Sequence, residues 1–359
     1  MRPITRICVA TVSALALGGG LTTTTATADD LSPREIFERV APATVQVLGG
    51  LGGSGTGIIY DAEQGLILTN AHVVAGEAAL KVRIEDRAPV PARLVGSDPC
   101  EDLAVVKLAT PQEDLKQVEF GDSGELKQGD ELTAIGYPET VGETSNQKAV
   151  LTNGVVQSPD VATTGDPSEP DLPSTIQHSA TLNLGNSGGP LLNNEAKLVG
   201  INDAYATGET RDQNFAISSD HAEPLLKGLS EGGGKNNPGW QILMALSDPN
   251  FSTYFPEEDQ AEAKAVQKRL TGKNIDGLVI GIVDTNSPAS KANIEAGEVI
   301  THLKDTPVST ATQVCDILQS STPGEKISVI GVYTTSGETA DGTSYKLGDP
   351  WQVDVTLRK

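Results

Sequence analysis

The sequence has few basic residues for its length. Lysine and arginine total 26 against 48 acidic residues, which gives a formal net charge of −22. Proteins that bind nucleic acid or an anionic membrane surface need a basic patch, so this balance argues against both as partners. The acidic residues are spread along the chain, which indicates a soluble surface with strong self-repulsion, although a saline habitat would give the same composition.

Long apolar runs are scarce, and the clearest one lies at the N-terminus. Arg2 and Arg6 flank the start of an apolar run, Ile7–Leu17, and Ala26-Thr27-Ala28 is a small-residue cleavage site. The run is shorter than the roughly 20 residues that a transmembrane helix requires. We expect residues 1–28 to be a cleaved signal peptide, with export to the periplasm or secretion. No stable membrane anchor is expected, and a retained anchor is the alternative.

Cysteine and histidine are also rare. Cys8 lies in the signal peptide, and Cys100 and Cys315 lie in different predicted domains, so we expect no bridge between them. The four histidines lack ligand spacing, and neither Cys-x-x-Cys nor His-Glu-x-x-His occurs. We therefore expect no metal site and no other cofactor.

Glycine is abundant, and one glycine-rich stretch indicates chemistry. Gly185-Asn186-Ser187-Gly188-Gly189-Pro190 places a serine in a tight turn that a substrate carbonyl can approach closely. Such a turn can direct the amides of Gly185 and Ser187 toward one point and so form an oxyanion hole. Taken alone, the stretch fits an ordinary β-turn at least as well.

A base and an acid precede this serine. His72 follows the apolar run 66–68, and Asp102 stands directly before another, 103–106. A serine hydroxyl needs a base to take its proton, and the base needs a carboxylate to fix its tautomer. The order His72, Asp102, Ser187 is that of the double-barrel serine proteases, not of subtilisins or α/β-hydrolases. We predict these three as the catalytic residues.

The motifs together resemble HtrA/Deg-type, trypsin-like serine proteases with one C-terminal PDZ domain. Besides the triad motifs, the resemblance rests on five segments: Gly53–Gly57, Gly136–Pro138, Asn153–Val156, Leu198–Asn202 and Asn214–Ile217. It implies a mainly β fold with two six-stranded barrels, followed by an α+β PDZ domain. Short Val-, Ile- and Leu-rich runs between turn residues favour the same all-β reading. The active site would lie in the cleft between the barrels.

The resemblance and composition give the domain organisation. We expect a signal peptide at 1–28, the protease domain at 29–230, a glycine-rich linker at 231–238 and the PDZ domain at 239–359. Two insertions depart from the PDZ pattern: residues 248–274, with a helix over Glu257–Leu270, and residues 334–350.

The PDZ resemblance implies a peptide groove beside a helix over Ala311–Ser320. PDZ domains bind C-terminal peptides by adding a strand to a sheet edge. The residues expected to bind the peptide are Trp240, Gln241, Ile242, Leu243, Val314 and Leu318. Packing in the core is the alternative role of Trp240.

The specificity pocket is expected to include Thr181, Ile201 and Asn202. Thr181 stands where this fold places the base of the pocket, and it is not acidic, so cleavage after lysine or arginine is not expected. The resemblance implies a small or medium aliphatic residue instead. His178-Ser179 replaces the Thr-Asp pair usual in the family.

Residues 158–174, rich in Pro, Asp, Ser and Thr, are predicted to form a long loop. In the family a loop here helps to activate the site, so this one is a candidate sensor, and an idle surface insertion is the alternative.

The sequence thus predicts an exported, ATP-independent serine endopeptidase that degrades unfolded or damaged proteins in quality control under stress. Peptide binding to the PDZ domain would regulate it. The alternative is a holdase chaperone or stress sensor whose protease site stays at rest. Expected partners are unfolded polypeptides and C-terminal peptides, and the resemblance implies a homotrimer or a larger assembly of trimers.

Overall fold

The computed structural model describes residues 30–50, 52–139, 148–164, 166–203, 214–234, 237–339 and 342–358. The predicted signal peptide, 1–28, lies outside these residues. Within the described ranges no helix combines the length and apolar character needed to cross a membrane.

The first barrel follows a short helix, α1 (Pro33–Val40), which Ser32 and Glu35 close with a reciprocal capping box. Its six antiparallel strands are hydrogen-bonded in the closed order β1-β2-β3-β6-β5-β4. The elements are β1 (Thr44–Gly49), β2 (Ser54–Asp61), β3 (Leu66–Thr69), the short helix α2 (Ala71–Val74), β4 (Leu80–Ile84), β5 (Val90–Asp98) and β6 (Leu103–Leu108). Alternate apolar side chains such as Val47, Ile67 and Val106 fill the interior.

The second barrel is closed in the order β10-β11-β12-β9-β8-β7. Its elements are β7 (Glu131–Gly136), β8 (Val150–Val161), β9 (Thr175–His178), β10 (Pro190–Leu192), β11 (Leu198–Asp203), β12 (Asn214–Ser218) and the helix α3 (Ser219–Ser230). One apolar cluster joins Leu68 and Leu103 of the first barrel to Ile135 and Leu198 of the second. This shared core fixes the cleft between the barrels.

Residues 237–358, here called the C-terminal module, form a separate antiparallel sheet in the order β13-β14-β15-β17-β20. The strands are β13 (Trp240–Ala245), β14 (Leu278–Val283), β15 (Val299–Leu303), β16 (Thr306–Pro307), β17 (Lys326–Val332), β18 (Gly337–Glu338), β19 (Ser344–Tyr345) and β20 (Pro350–Thr356). The helices are α4 (Gln260–Thr271), α5 (Pro288–Lys291) and α6 (Ala311–Gln319). Val314 and Leu318 of α6 pack into the core of this module.

The predicted mainly β fold with two six-stranded barrels is confirmed. The insertion at 248–274 is built into the C-terminal module, because Ala263 and Leu270 of α4 pack with Met244 and Phe251. Strand β8 runs to Val161, so the loop starts at residue 162 and not at 158. The longer strand follows from pairing with β9, in which Val161 lies opposite Thr175, and backbone pairing needs no apolar period.

The expectation that Cys100 and Cys315 are not bridged is wrong. Their sulfur atoms form a disulfide, and the bonded cysteines are 215 positions apart in the sequence. The two cysteines meet although they belong to different domains, because α6 packs against the loop between β5 and β6, which carries Cys100.

His178 makes the stability of the second barrel depend on pH. Its side chain is fully buried, and this burial lowers its pKa from 6.5 to about 4. Between these values the unfolded chain binds a proton that the folded chain excludes, so stability falls as the pH falls from about 6.5 to 4. Between pH 7.5 and 5 this linkage costs about 2 kcal/mol.

We expect the free energy of unfolding measured with urea to be about 2 kcal/mol lower at pH 5 than at pH 7.5 because of His178 in the wild type. This contribution should be absent in His178→Leu. Leucine is apolar and has no titrating group, so other acid-sensitive groups affect both proteins alike. An equal loss of unfolding free energy in the two proteins would show that His178 is not the source.

Candidate active site

The pairing of two strands brings His72 and Asp102 together. Thr69, at the end of β3, lies opposite Ala104 near the start of β6. His72 follows β3 on the helix α2, and Asp102 immediately precedes β6. The two side chains therefore leave neighbouring strands at the same rim of the first barrel.

Asp102 holds His72 through both carboxylate oxygens. The ring Nδ1 of His72 lies 2.8 Å from Oδ2 of Asp102, and the backbone N–H of His72 donates to Oδ1 over 3.0 Å. Asn70 fixes the acid in turn, because its Nδ2 donates to the Asp102 carbonyl over 2.9 Å. With Nδ1–H directed to the carboxylate, Nε2 is the nitrogen left for proton transfer.

The turn around Ser187 needs glycine at two positions. Gly185 and Gly188 have φ values of 92° and 82°, in the left-handed region that glycine tolerates. A Cβ on Gly188 would collide with the Thr56 carbonyl and the Thr69 hydroxyl. The Thr56 N–H also donates to the Ser187 carbonyl over 2.9 Å. The serine turn of the second barrel therefore packs on β2, which carries Thr56, and beside Thr69 at the end of β3, the strand that leads to His72.

The peptide group between Leu184 and Gly185 has a defined orientation. Glu139 N–H donates to the Leu184 carbonyl over 2.7 Å. The N–H and C=O of a trans peptide point in opposite directions, so the Gly185 N–H points away from Glu139. The Gly185 carbonyl accepts the Thr56 hydroxyl over 2.6 Å, which fixes the next peptide group as well.

Additional carboxylates surround His72. Burial alone would lower the pKa of His72, but the charge and hydrogen bond of Asp102, with the charges of Asp203 and Glu169, raise it to about 9. Burial, followed by the charges of Asp203, Asp166 and Asp102, raises the pKa of Glu169 to about 8, although His72 opposes this. The surrounding carboxylates therefore favour the imidazolium form of His72, and burial favours the protonated form of Glu169.

Sequence reasoning missed Asp203 and Glu169. Asp203 directly follows the predicted pocket residues Ile201 and Asn202 on β11, so that position was a usable signal. Glu169 belongs to the loop after β8, where no pattern in the sequence indicates that it lines the same cavity as His72.

Ligand atoms of His72, Asp102 and Asp203 lie within 4.8 Å of one another. Asp102 is already used twice in holding His72. The cluster therefore acts on the charge state of the imidazole, and we assign no metal to it.

The predicted specificity residues differ in their surroundings. Thr181 is exposed, and its carbonyl accepts the Thr152 hydroxyl over 2.9 Å. Ile201 and Asn202 are fully buried. The Asn202 carbonyl accepts the Gly188 N–H over 2.8 Å, so Asn202 supports the serine turn directly.

A cavity of about 570 Å³ lies between His72 and the C-terminal module. All six residues predicted to bind a peptide line it: Trp240, Gln241, Ile242, Leu243, Val314 and Leu318. Trp240 also belongs to the buried core of the module, so core packing applies to it too. Ile242 has a φ of 54°, which is unusual for a β-branched residue and marks local strain at the cavity wall.

Comparison with known proteins supports the predicted resemblance. Residues 55–201 match the family model described as "Trypsin-like peptidase domain". The chain is 34% identical over 271 residues to "Serine protease Do-like HtrA" of Bacillus subtilis (strain 168), covering 74% of this chain and 57% of that protein. It is 33% identical over 257 residues to "Periplasmic serine endoprotease DegP" of Escherichia coli (strain K12), covering 71% and 49%. Over the greater part of its length the chain is therefore similar to HtrA-type serine proteases.

The solved structures agree with this assignment. "HtrA-type protease AlgW with tripeptide" is similar with a TM-score of 0.51 and 26% identity, covering 91% of this chain and 97% of that one. The chain spans about half the length of the two curated relatives, at 57% and 49%. The predicted resemblance to HtrA-type proteases and the two-barrel fold are confirmed.

Proposed function

We propose that the protein is a serine endopeptidase that cleaves unfolded polypeptides, with His72, Asp102 and Ser187 as its triad. The observation that carries the proposal is the double hold of Asp102 on His72, next to a serine turn that is hydrogen-bonded to β2 of the same barrel. Ser187 is only 6% exposed. An extended, flexible chain reaches a serine in such a cleft more easily than the surface of a folded protein does.

The geometry supports the following mechanism. Ser187 Oγ attacks the substrate carbonyl carbon while Nε2 of His72 takes the hydroxyl proton. Asp102 Oδ2 holds Nδ1–H and stabilises the imidazolium. The amides of Gly185 and Ser187 bind the oxyanion. His72 then protonates the leaving amine, and water hydrolyses the acyl-enzyme by the same steps in reverse order.

We assign the C-terminal module as a PDZ domain that takes a C-terminal peptide. Strand β13 stands at one end of the sheet, with β14 as its neighbour, so an extended peptide can add to its other edge. The groove would run between β13 and α6, whose predicted contact residues face the cavity. A similar solved structure is described as an HtrA-type protease with tripeptide, which supports the same class of ligand here.

Cleavage of unfolded casein by the exported protein, beside Ser187→Ala, tests the proposal. Fragments from the wild type alone support it, and a folded protein of similar size should be cleaved far more slowly. A peptide with an apolar C-terminus should change the casein rate. A constant rate over a wide peptide concentration range would contradict regulation through the PDZ domain.

The carboxylates around His72 favour the holdase alternative. With a pKa of about 9, His72 is mostly protonated near neutral pH, so the resting site holds little of the base that Ser187 needs. If the wild type and Ser187→Ala suppress casein aggregation equally while neither cleaves it at any pH, the protein is a holdase.

We further propose export to the periplasm and assembly into trimers. The E. coli relative is named a periplasmic protein, and the N-terminal segment resembles a signal peptide. Phe37 of α1 is half-buried against the barrel core and is the aromatic residue available to a trimer contact. Light scattering on the exported protein tests the trimer, and a monomer mass would contradict it.

A further inference from the structure

Three consecutive residues link the C-terminal module to the catalytic histidine. Cys100 is bonded to Cys315 on α6. Glu101 accepts from Nε2 of Gln319, also on α6, over 3.0 Å. Asp102 then holds His72, as described above. Helix α6, which lines the proposed peptide groove, is thus covalently bonded to Cys100. Cys100 lies two positions before Asp102, the acid that orients His72.

The neighbouring contacts hold α6 against the protease portion. Its first residue, Ala311, donates its N–H to the Pro167 carbonyl over 2.8 Å, and Thr312 accepts the Asp171 N–H over 3.0 Å. These partners belong to the loop after β8, which also carries Glu169. The C-terminal module therefore walls the cavity beside His72, and the disulfide is its covalent attachment there.

We propose that the Cys100–Cys315 disulfide is a redox site whose reduction by a dithiol releases the C-terminal module and opens the active-site cavity to long polypeptides. In the oxidised protein α6 stays on the loop that carries Asp102, and the cavity keeps the size of a small-ligand site. Short substrates fit that space. An unfolded chain extends beyond it and meets the wall formed by the module.

The chemistry is a thiol–disulfide exchange. Cys100 is half-buried and Cys315 is 8% exposed, and both line the cavity, so Cys100 is the sulfur that an entering thiolate reaches. Attack breaks the Cys100–Cys315 bond, releases the Cys315 thiolate and forms a mixed disulfide. The second thiol of the dithiol displaces Cys100 and closes a cyclic disulfide. Two electrons and two protons pass from the dithiol to the two cysteines.

The carboxylates beside Cys100 should make the rate of reduction depend on the charge of the thiol. Asp98 and Asp102 line the same cavity wall as Cys100, so a neutral dithiol should reduce the bond faster than an anionic thiol. Raising the ionic strength should narrow this difference.

The test compares oxidised and dithiothreitol-treated exported protein, with thiol counts by mass spectrometry after alkylation. Because this inference rests on the proposed function, casein cleavage is measured with a short peptide substrate as reference. We expect reduction to raise the casein rate about fivefold or more, the scale of a typical coupling between sites, and to change the short-peptide rate by less than about twofold. Cys315→Ser and Cys100→Ser should cleave casein at the rate of the reduced wild type, and dithiothreitol should not change their rates.

Hydrogen exchange over residues 311–319 gives a readout that does not need activity. Faster exchange after reduction supports release of α6. Equal casein rates in both forms, or two free thiols in the freshly exported protein, overturn the proposal. If neither the oxidised nor the reduced protein cleaves casein, the proposed protease function is wrong. Hydrogen exchange then tests the redox site by itself, and unchanged exchange over residues 311–319 after reduction would overturn it.

Discussion

Replacing Ser187 by alanine is expected to lower kcat on unfolded casein by about 10⁶. Removing the nucleophile of a triad eliminates the covalent route, and the remaining activity comes from binding and the oxyanion hole. The fold should persist, because the Thr56 hydrogen bond in this turn goes to the Ser187 carbonyl and not to its hydroxyl.

Ser344→Ala is the matched control, since Ser344 is an exposed serine on the short hairpin of the C-terminal module. It should keep full activity. Far-ultraviolet circular dichroism and the unfolding midpoint show whether each variant is folded. A folded Ser187→Ala protein that retains a tenth of the wild-type rate would rule out Ser187 as the nucleophile.

The second large effect concerns pH. Only neutral His72 accepts the serine proton, and a pKa of about 9 leaves about 1% of the free enzyme in that form at pH 7. We therefore expect kcat/KM to rise about tenfold per pH unit from pH 6 to 8, to reach about half of its maximum near pH 9, and to level off above that pH. Glu169, with a pKa of about 8, ionises in the same range. Its negative charge favours the imidazolium form of His72, so the rise of kcat/KM with pH should be less steep above about pH 8.

Asp203→Asn isolates one cause of this profile. Removing the Asp203 charge lowers the pKa of His72, so the curve should move toward lower pH by about one unit. At pH 7 kcat/KM should rise up to about tenfold. Glu223→Gln, which removes an exposed carboxylate on α3, should leave the curve in place. A wild-type plateau already reached at pH 7 would contradict the imidazolium resting state.

Local patterns in the sequence predicted the all-β character and the triad candidates, whereas the two barrels followed from the resemblance. His72 and Asp102 stand at the ends of apolar runs that become β3 and β6, and antiparallel pairing of those strands places them side by side. The glycines around Ser187 indicate a turn that other residues adopt only with strain. Each of these features needs only a short stretch of chain.

The rest depends on packing between distant segments. The Cys100–Cys315 bond requires α6 to pack on the loop before β6, and no local sequence pattern predicts this contact. Glu169 lies in an irregular loop whose path follows its contacts with α6. The exposure of Thr181 and the burial of Asn202 depend on how the turn folds, which their positions in the sequence do not indicate.

Covalent labelling tests the central claim most directly. A fluorophosphonate reacts with a serine only where a base and an oxyanion hole activate it. After labelling at pH 9 and peptide mass spectrometry, we predict one adduct per chain, on Ser187, and none in His72→Ala. An adduct on another residue, or casein cleavage by a protein that takes up no label, would contradict the assignment of Ser187 as the nucleophile.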